Sequence, residues 1–131
     1  MTAPPRRRTF SVKELGPVTL VTFSVPALLE EEDVRMTAQQ LAGLMDGSGC
    51  QQVVINFASV ERLTSRMIGV LLSLSRKVQA KGGRLVLCGL RPALREIFEV
   101  MKLEDMLPAY ETPEEALETF VGVRCVQTSR R

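Results

Sequence analysis

The chain alternates between short runs of β-forming residues and longer segments with apolar residues at helical spacing. Around Gly16-Pro17, two runs alternate apolar and polar side chains, which predicts an antiparallel hairpin. Two later runs are continuously apolar and β-branched, a pattern typical of strands buried on both faces. The predicted strands are 9–15, 18–24, 53–55, 84–88 and a short one around 106–110.

Amphipathic segments separate and follow these strands. Four acids at 30–33 favour the positive end of a helix dipole, so a helix is expected to begin there rather than a cation site. Gly82-Gly83 ends the central helix, because glycine adopts the left-handed cap conformation without a Cβ clash. Thr112-Pro113-Glu114-Glu115 has the residues of a capping box. The predicted helices begin near residues 30, 65, 92 and 113.

The resulting order, β-β-α-β-α-β-α-β-α, predicts an α/β fold. We expect a four- to five-stranded, mostly parallel sheet with an N-terminal antiparallel hairpin and about four helices. The length of 131 residues favours one domain, 9–120. The flanking segments are predicted to be a disordered basic tail, 1–8, and a C-terminal tail, 121–131.

The amino-acid composition argues against several classes of function. The chain has no histidine, which removes the usual general base and the commonest metal ligand. Without a Cys-x-x-Cys pair or a glycine-rich phosphate loop, we expect no enzyme, no catalytic residue, no metal and no cofactor. The three cysteines are widely spaced, and Cys88 falls in a strand run as a core residue. With no signal peptide and no membrane span recognisable, a cytoplasmic protein is predicted. The arginine-rich tails are expected to be solvated, without direct DNA binding.

From about Thr9 to Phe120 the chain resembles the STAS domain of anti-sigma-factor antagonists. The resemblance rests on Asn56-Phe57, on Gly69-Val70-Leu71-Leu72 and on residues 82–94, which read Gly-Gly-Arg-Leu-Val-Leu-Cys-Gly-Leu-Arg-Pro-Ala-Leu. In this family the loop into the central helix carries Asp-Ser-Ser-Gly-Leu-Gly. Its first serine is phosphorylated by a partner that is both a kinase and an anti-sigma factor. Alignment on residues 69–72 places that serine at Ser65.

The same alignment shows where the chain departs from the family. Thr64 replaces the aspartate, Arg66 the second serine and Met67 the first glycine. The resemblance implies a protein-interaction regulator that binds an anti-sigma factor with serine-kinase activity and is switched by phosphorylation at Ser65. Met67 is expected to be exposed, and Gly69 to allow close approach of a neighbouring strand or of the partner. The predicted partner-binding residues are Arg62, Thr64, Ser65, Arg66, Met67 and Gly69.

A phosphate on Ser65 has a physical rationale. It would lie at the positive end of the helix, and Arg62 and Arg66 are near enough in sequence to pair with it.

Three alternatives stay open. Thr64-Ser65 is also an ordinary helix-capping pair. The second alternative is a non-catalytic STAS subunit of a larger assembly, such as a stressosome-like or lipid-transport complex, which includes a homo-oligomer. An enzyme using Ser65 with Glu61 as base is the least favoured, since no histidine or lysine activates the serine.

Overall fold

A computed structural model describes residues 9–15, 18–47, 52–103 and 105–119. The predicted tails, 1–8 and 121–131, and the turn at Gly16-Pro17 lie outside the described residues, so the proposed tail assignments stay predictions.

Five strands form the main sheet in the order β1-β2-β4-β6-β7. The first pair is antiparallel, with Phe10 opposite Phe23, and the other pairs are parallel. The α/β class, the hairpin and the mostly parallel sheet are therefore confirmed. In chain order the strands are β1 (Phe10–Leu15), β2 (Val18–Phe23), β3 (Ala27–Leu28), β4 (Gln52–Asn56), β5 (Arg62–Leu63), β6 (Arg84–Cys88) and β7 (Ala109–Tyr110).

The described residues include four helices, as expected: α1 (Glu31–Gly47), α2 (Ser65–Ala80), α3 (Pro92–Val100) and α4 (113–119). Three acids occupy the first turn of α1. Gly82 ends α2 with a φ of 87°, and the Gly83 N–H donates to the Val78 carbonyl at 3.0 Å. At α4, the Thr112 hydroxyl accepts from the Glu115 N–H at 3.1 Å, so the capping box does begin a helix.

The sheet is covered on both faces. Helices α1, α2 and α3 pack on one face, where Leu41, Leu71 and Phe98 are buried in one cluster with Ile55 and Leu87. On the other face α4 contributes Ala116 to a smaller cluster, whose other buried members are Val18, Val54, Val86 and Cys88. The core role predicted for Cys88 is confirmed. The chain is thus a three-layer α/β/α arrangement.

By helical spacing alone, Leu94, Ile97, Phe98 and Met101 are expected to form the apolar, buried side of α3. This is wrong for Ile97 and Met101, which are 37% and 46% exposed. Leu94 and Phe98 are four residues apart and are the buried residues of α3, so Ile97 falls on the flank of the helix. Met101 follows the last helical residue and caps the helix instead.

A feature that the sequence did not predict is the parallel pairing of β3 with β5, two strands of two residues each. The Pro26 carbonyl, just before β3, accepts hydrogen bonds from the N–H groups of Glu61 at 2.6 Å and Arg62 at 3.2 Å. This small sheet ties the segment before α1 to the segment before α2. As a result, both helices begin side by side at the carboxyl edge of the main sheet.

Candidate functional site

The candidate site lies at the carboxyl edge, where the β4–β5 loop leads into α2. Thr64 has extended backbone angles and its hydroxyl accepts a bond from the Met67 N–H at 3.2 Å. Thr64 is therefore the N-cap of α2, and Ser65 is the first helical residue, with an exposed side chain. Of the Thr64-Ser65 pair that the sequence offered as helix caps, Thr64 is therefore the one that caps.

Arg66 is turned toward α1. Its guanidinium lies 2.8 Å from the carboxylate of Glu31, and both side chains are exposed. The pair joins the first turn of α2 to the first turn of α1. Arg62 is also exposed, on β5, and makes no ion pair with any residue that the structure describes. Of the two arginines predicted beside Ser65, Arg62 is the one without a carboxylate partner there.

Met67 is not at the surface, contrary to the prediction. Its side chain is 0% exposed and belongs to the main core. The reason is the helical phase: Met67, Leu71, Leu74 and Val78 are spaced three or four residues apart and face the sheet together. Met67 therefore supports α2 from inside and does not belong to a contact surface.

Gly69 is exposed, and a Cβ atom at this position would meet nothing within 4 Å. The expected close approach of a neighbouring strand is therefore wrong. One turn separates Gly69 from Ser65, and one more turn separates it from Ser73, which is also exposed. These small residues follow one line along the exposed side of α2. We call the exposed residues Arg62, Ser65, Arg66 and Gly69 the α2 tip.

The loop before α2 is supported from the β6–α3 connection. The Asn56 side-chain oxygen accepts from the Ala58 N–H at 2.9 Å, and the Arg91 Nε donates to the Ala58 carbonyl at 3.2 Å. Gly89 packs against the same loop with a φ of +73°; a Cβ there would lie 2.7 Å from the Asn56 oxygen. These contacts fix the start of the loop that presents Ser65.

Two residues beside the α2 tip could not be recognised as part of the site from the sequence. Leu29, 43% exposed, and Glu30, also exposed, follow β3 directly. Because Leu28 pairs with Leu63, Leu29 and Thr64 are the next residues on the two neighbouring strands, and Glu30 follows directly before α1. The acidic run was visible in the sequence, but its nearness to Ser65 depends on a strand pair too short to be predicted.

The tip shows no arrangement for nucleophilic catalysis. Glu61 is exposed, and no hydrogen bond within the described residues joins a base to the Ser65 hydroxyl.

Beside the tip, α1 and α2 form a groove of about 420 Å³. It is lined by Val34, Ala38 and Val70 and bordered by Glu31 and Arg66. The exposed, charged character of this region suits contact with another macromolecule better than enclosure of a small substrate.

Comparisons with known proteins identify the class. The sequence profile of the STAS domain matches residues 11–116. The chain belongs to the STAS domain family.

Individual relatives agree with this assignment. A Bordetella bronchiseptica protein, provisionally described as anti-sigma factor antagonist BtrV, is 30% identical over 81 residues, covering 62% of this chain and 69% of its own length. An anti-sigma-factor antagonist (STAS) domain protein from Planctomyces limnophilus has 25% identity and a TM-score of 0.77, with coverage of 86% and 97%. The phosphorylated form of the Bacillus cell fate determinant SpoIIAA matches with a TM-score of 0.65 at 19% identity, with coverage of 85% and 98%.

None of the described helices has the length and hydrophobicity needed to cross a bilayer.

Proposed function

We propose that this STAS protein is an anti-sigma-factor antagonist. It binds an anti-sigma factor with serine-kinase activity through the α2 tip, and phosphorylation of Ser65 releases that partner. One observation carries the proposal: Ser65 is exposed at the first position of α2, while Thr64 performs the capping. A partner can therefore contact or phosphorylate the Ser65 hydroxyl without disturbing the helix cap.

The effect of a phosphate follows from its charge. Phosphoserine adds roughly 1.5 to 2 negative charges near neutral pH. At Ser65 that charge would lie inside the proposed contact surface, where a partner shaped for a neutral hydroxyl must desolvate it or be repelled. A cost of about 3 kcal/mol would raise a micromolar dissociation constant more than a hundredfold. That SpoIIAA is known in a phosphorylated form supports a switch of this kind in the family.

The tip itself would tolerate the phosphate. The positive end of α2 favours an anion, and no acidic residue occupies the first turn of this helix. Arg62 is available as a counter-ion, and Arg66 could exchange Glu31 for a more highly charged phosphate. The switch therefore acts on the interface and leaves the fold intact.

Binding is tested with purified anti-sigma factors from the genome that encodes this chain, hereafter the anti-sigma panel. By titration calorimetry, we expect one member to bind the wild type and Ser65→Ala alike, and to bind Ser65→Asp at least about tenfold more weakly. Ser73→Asp is the matched control, because Ser73 is exposed on the same helix two turns away. Equal binding of Ser65→Asp and wild type would refute the switch. No binding by any member would refute the proposed function.

Modification is tested separately by intact-mass measurement after incubation with ATP and the panel member that binds. A single added phosphate is expected on the wild type and on Ser73→Ala, and none on Ser65→Ala. If the wild type gains no mass, the phosphorylation proposal fails, although the binding proposal would survive.

Gly69 gives an independent test of where the partner binds. Alanine stabilises a helix interior by up to about 1 kcal/mol relative to glycine. Gly43 on α1 is the matched control, since it is also exposed and a Cβ there also meets nothing within 4 Å. We expect both Gly69→Ala and Gly43→Ala to raise the unfolding midpoint in urea, but only Gly69→Ala to weaken binding. Undiminished binding by Gly69→Ala would place the contact elsewhere.

A further inference from the structure

We infer that Leu29 is a second anchor for the same partner, and that the partner meets it with an apolar pocket bordered on one side by basic side chains. This inference rests on the proposed function and extends it. It adds the β3–α1 connection to a contact surface that the family motif would confine to the start of α2.

The position of Leu29 follows from the pairing of β3 with β5. Leu28 is in register with Leu63 in parallel orientation, so Leu29 and Thr64 leave the small sheet side by side. Neighbouring strands are about 4.8 Å apart, which puts the backbone of Leu29 next to that of Thr64, the residue directly before Ser65. The Arg66–Glu31 contact of 2.8 Å confirms independently that the first turns of α1 and α2 are adjacent.

The surroundings of Leu29 have the organisation of an interface. A single exposed leucine needs no explanation by itself. This one, 43% exposed, lies between the α2 tip on one side and the acidic first turn of α1 on the other. Protein interfaces typically combine an apolar centre with a charged rim. The other large exposed hydrophobic residues in the described part of the chain lie on or just after α3: Ile97, Val100 and Met101.

Charge determines what kind of partner fits. Glu31 is paired with Arg66, and Glu32 lies 3.6 Å from Arg35. Glu30 and Asp33 are exposed and have no ion pair within the described residues. The side of Leu29 toward α1 therefore carries unbalanced negative charge, which favours basic side chains on the partner. Arg62, on the other side, favours an acidic one, so the two sides together would fix the orientation of the partner.

The apolar contact at Leu29 is tested by measuring how Leu29→Ser binds the anti-sigma panel. We expect its affinity for the panel member that binds to fall at least about tenfold, as for an anchor residue buried on binding. Val100→Ser is the matched control: Val100 is 74% exposed and lies at the end of α3 that points away from the carboxyl edge. Its affinity should stay within about twofold of the wild type. Circular dichroism and urea unfolding check that both variants fold.

The charged part is tested with Glu30→Gln, with Glu96→Gln on α3 as control, because Glu96 is also exposed. Glu30→Gln should weaken binding and reduce its salt dependence, while Glu96→Gln should do neither.

The outcomes separate the two proposals. If the wild type binds and responds to Ser65→Asp, but Leu29→Ser and Val100→Ser bind alike, the Leu29 anchor is rejected and the proposed function stands. If Glu30→Gln keeps the full affinity and salt dependence, the basic border of the pocket is rejected. If no panel member binds the wild type, the proposed function fails, and the anchor fails with it.

Discussion

At the residue scale, two adjacent hydroxyls have different roles. Thr64 holds the first turn of α2 through its bond to the Met67 N–H, whereas Ser65 makes no such bond and faces solvent. This division explains how the helix start can carry a modifiable residue without losing its cap. Threonine is among the residues that cap well, so its place in the position of the family's aspartate keeps the helix start while it removes a negative charge.

We predict that Thr64→Ala lowers the free energy of unfolding by about 1 kcal/mol, because an N–H of the first turn loses its acceptor. Thr64→Ser keeps the acceptor and should cost much less. Ser65→Ala, which removes no cap, should unfold at nearly the wild-type urea concentration. The measurement is urea unfolding followed by circular dichroism. If Ser65→Ala is as damaging as Thr64→Ala, the assignment of the cap to Thr64 is wrong.

At the element scale, short-range contacts between loops hold the candidate site. The β3–β5 pair aligns the starts of α1 and α2, and the contacts of Asn56, Gly89 and Arg91 support the β4–β5 loop. The site is therefore formed by several loops that meet at one edge of the sheet. Parallel α/β sheets commonly place their binding surfaces at this edge, where the loops after the strands converge.

Gly89 provides a test of this support. Gly82 and Gly89 both have positive φ angles, 87° and 73°, but only at Gly89 would a Cβ meet other atoms, at 2.7 Å from the Asn56 oxygen and 3.0 Å from the Ala58 nitrogen. Gly82→Ala should cost about 1 kcal/mol for the left-handed backbone alone. Gly89→Ala should cost clearly more, about 2–4 kcal/mol, because the loop must move as well. Equal urea midpoints for the two variants would contradict the close contact.

At the scale of the whole molecule, the two faces of the sheet are unequal. Three helices cover one face, and on the other the described α4 supplies Ala116 over Val54, Val86 and Cys88. Burial there raises the pKa of the Cys88 thiol from 9.0 to about 12, and the negative charge of Glu114 adds to the effect. The neutral thiol is thus favoured by folding.

This pKa shift makes stability depend on pH in a defined direction. In the unfolded chain the thiol loses its proton near its ordinary value of 9.0, but in the folded chain only near 12. Between these values the native state binds more protons, so the free energy of unfolding decreases as pH rises, by up to about 1.4 kcal/mol per pH unit. Urea unfolding from pH 8 to 11 should show a steeper decrease for the wild type than for Cys88→Ala. Parallel curves would show that the thiol does not contribute.

Local sequence patterns were enough to predict the layout of the main sheet and its helices. The signals that predicted it are local: hydrophobic periodicity of 3.6 or 2 residues, glycine at the end of α2 and the capping box at Thr112. Each of them depends on residues that are close together in the chain. The order of strands and helices, the hairpin and the parallel sheet followed from them. Ser65 was located by its place in a family motif, and its exposure is a consequence of where α2 begins.

The surroundings of Ser65 depend instead on how the folded elements pack together. Met67 is buried because it lies on the sheet-facing side of α2 with Leu71 and Leu74, and the expectation that it is exposed rested only on its place at the start of the helix. Gly69 is exposed, and Arg66 lies beside Glu31, because of how α1 and α2 are placed. Leu29 reaches the site through two residue pairs between β3 and β5. Such contacts join residues far apart in the chain, and local sequence patterns carry no information about them.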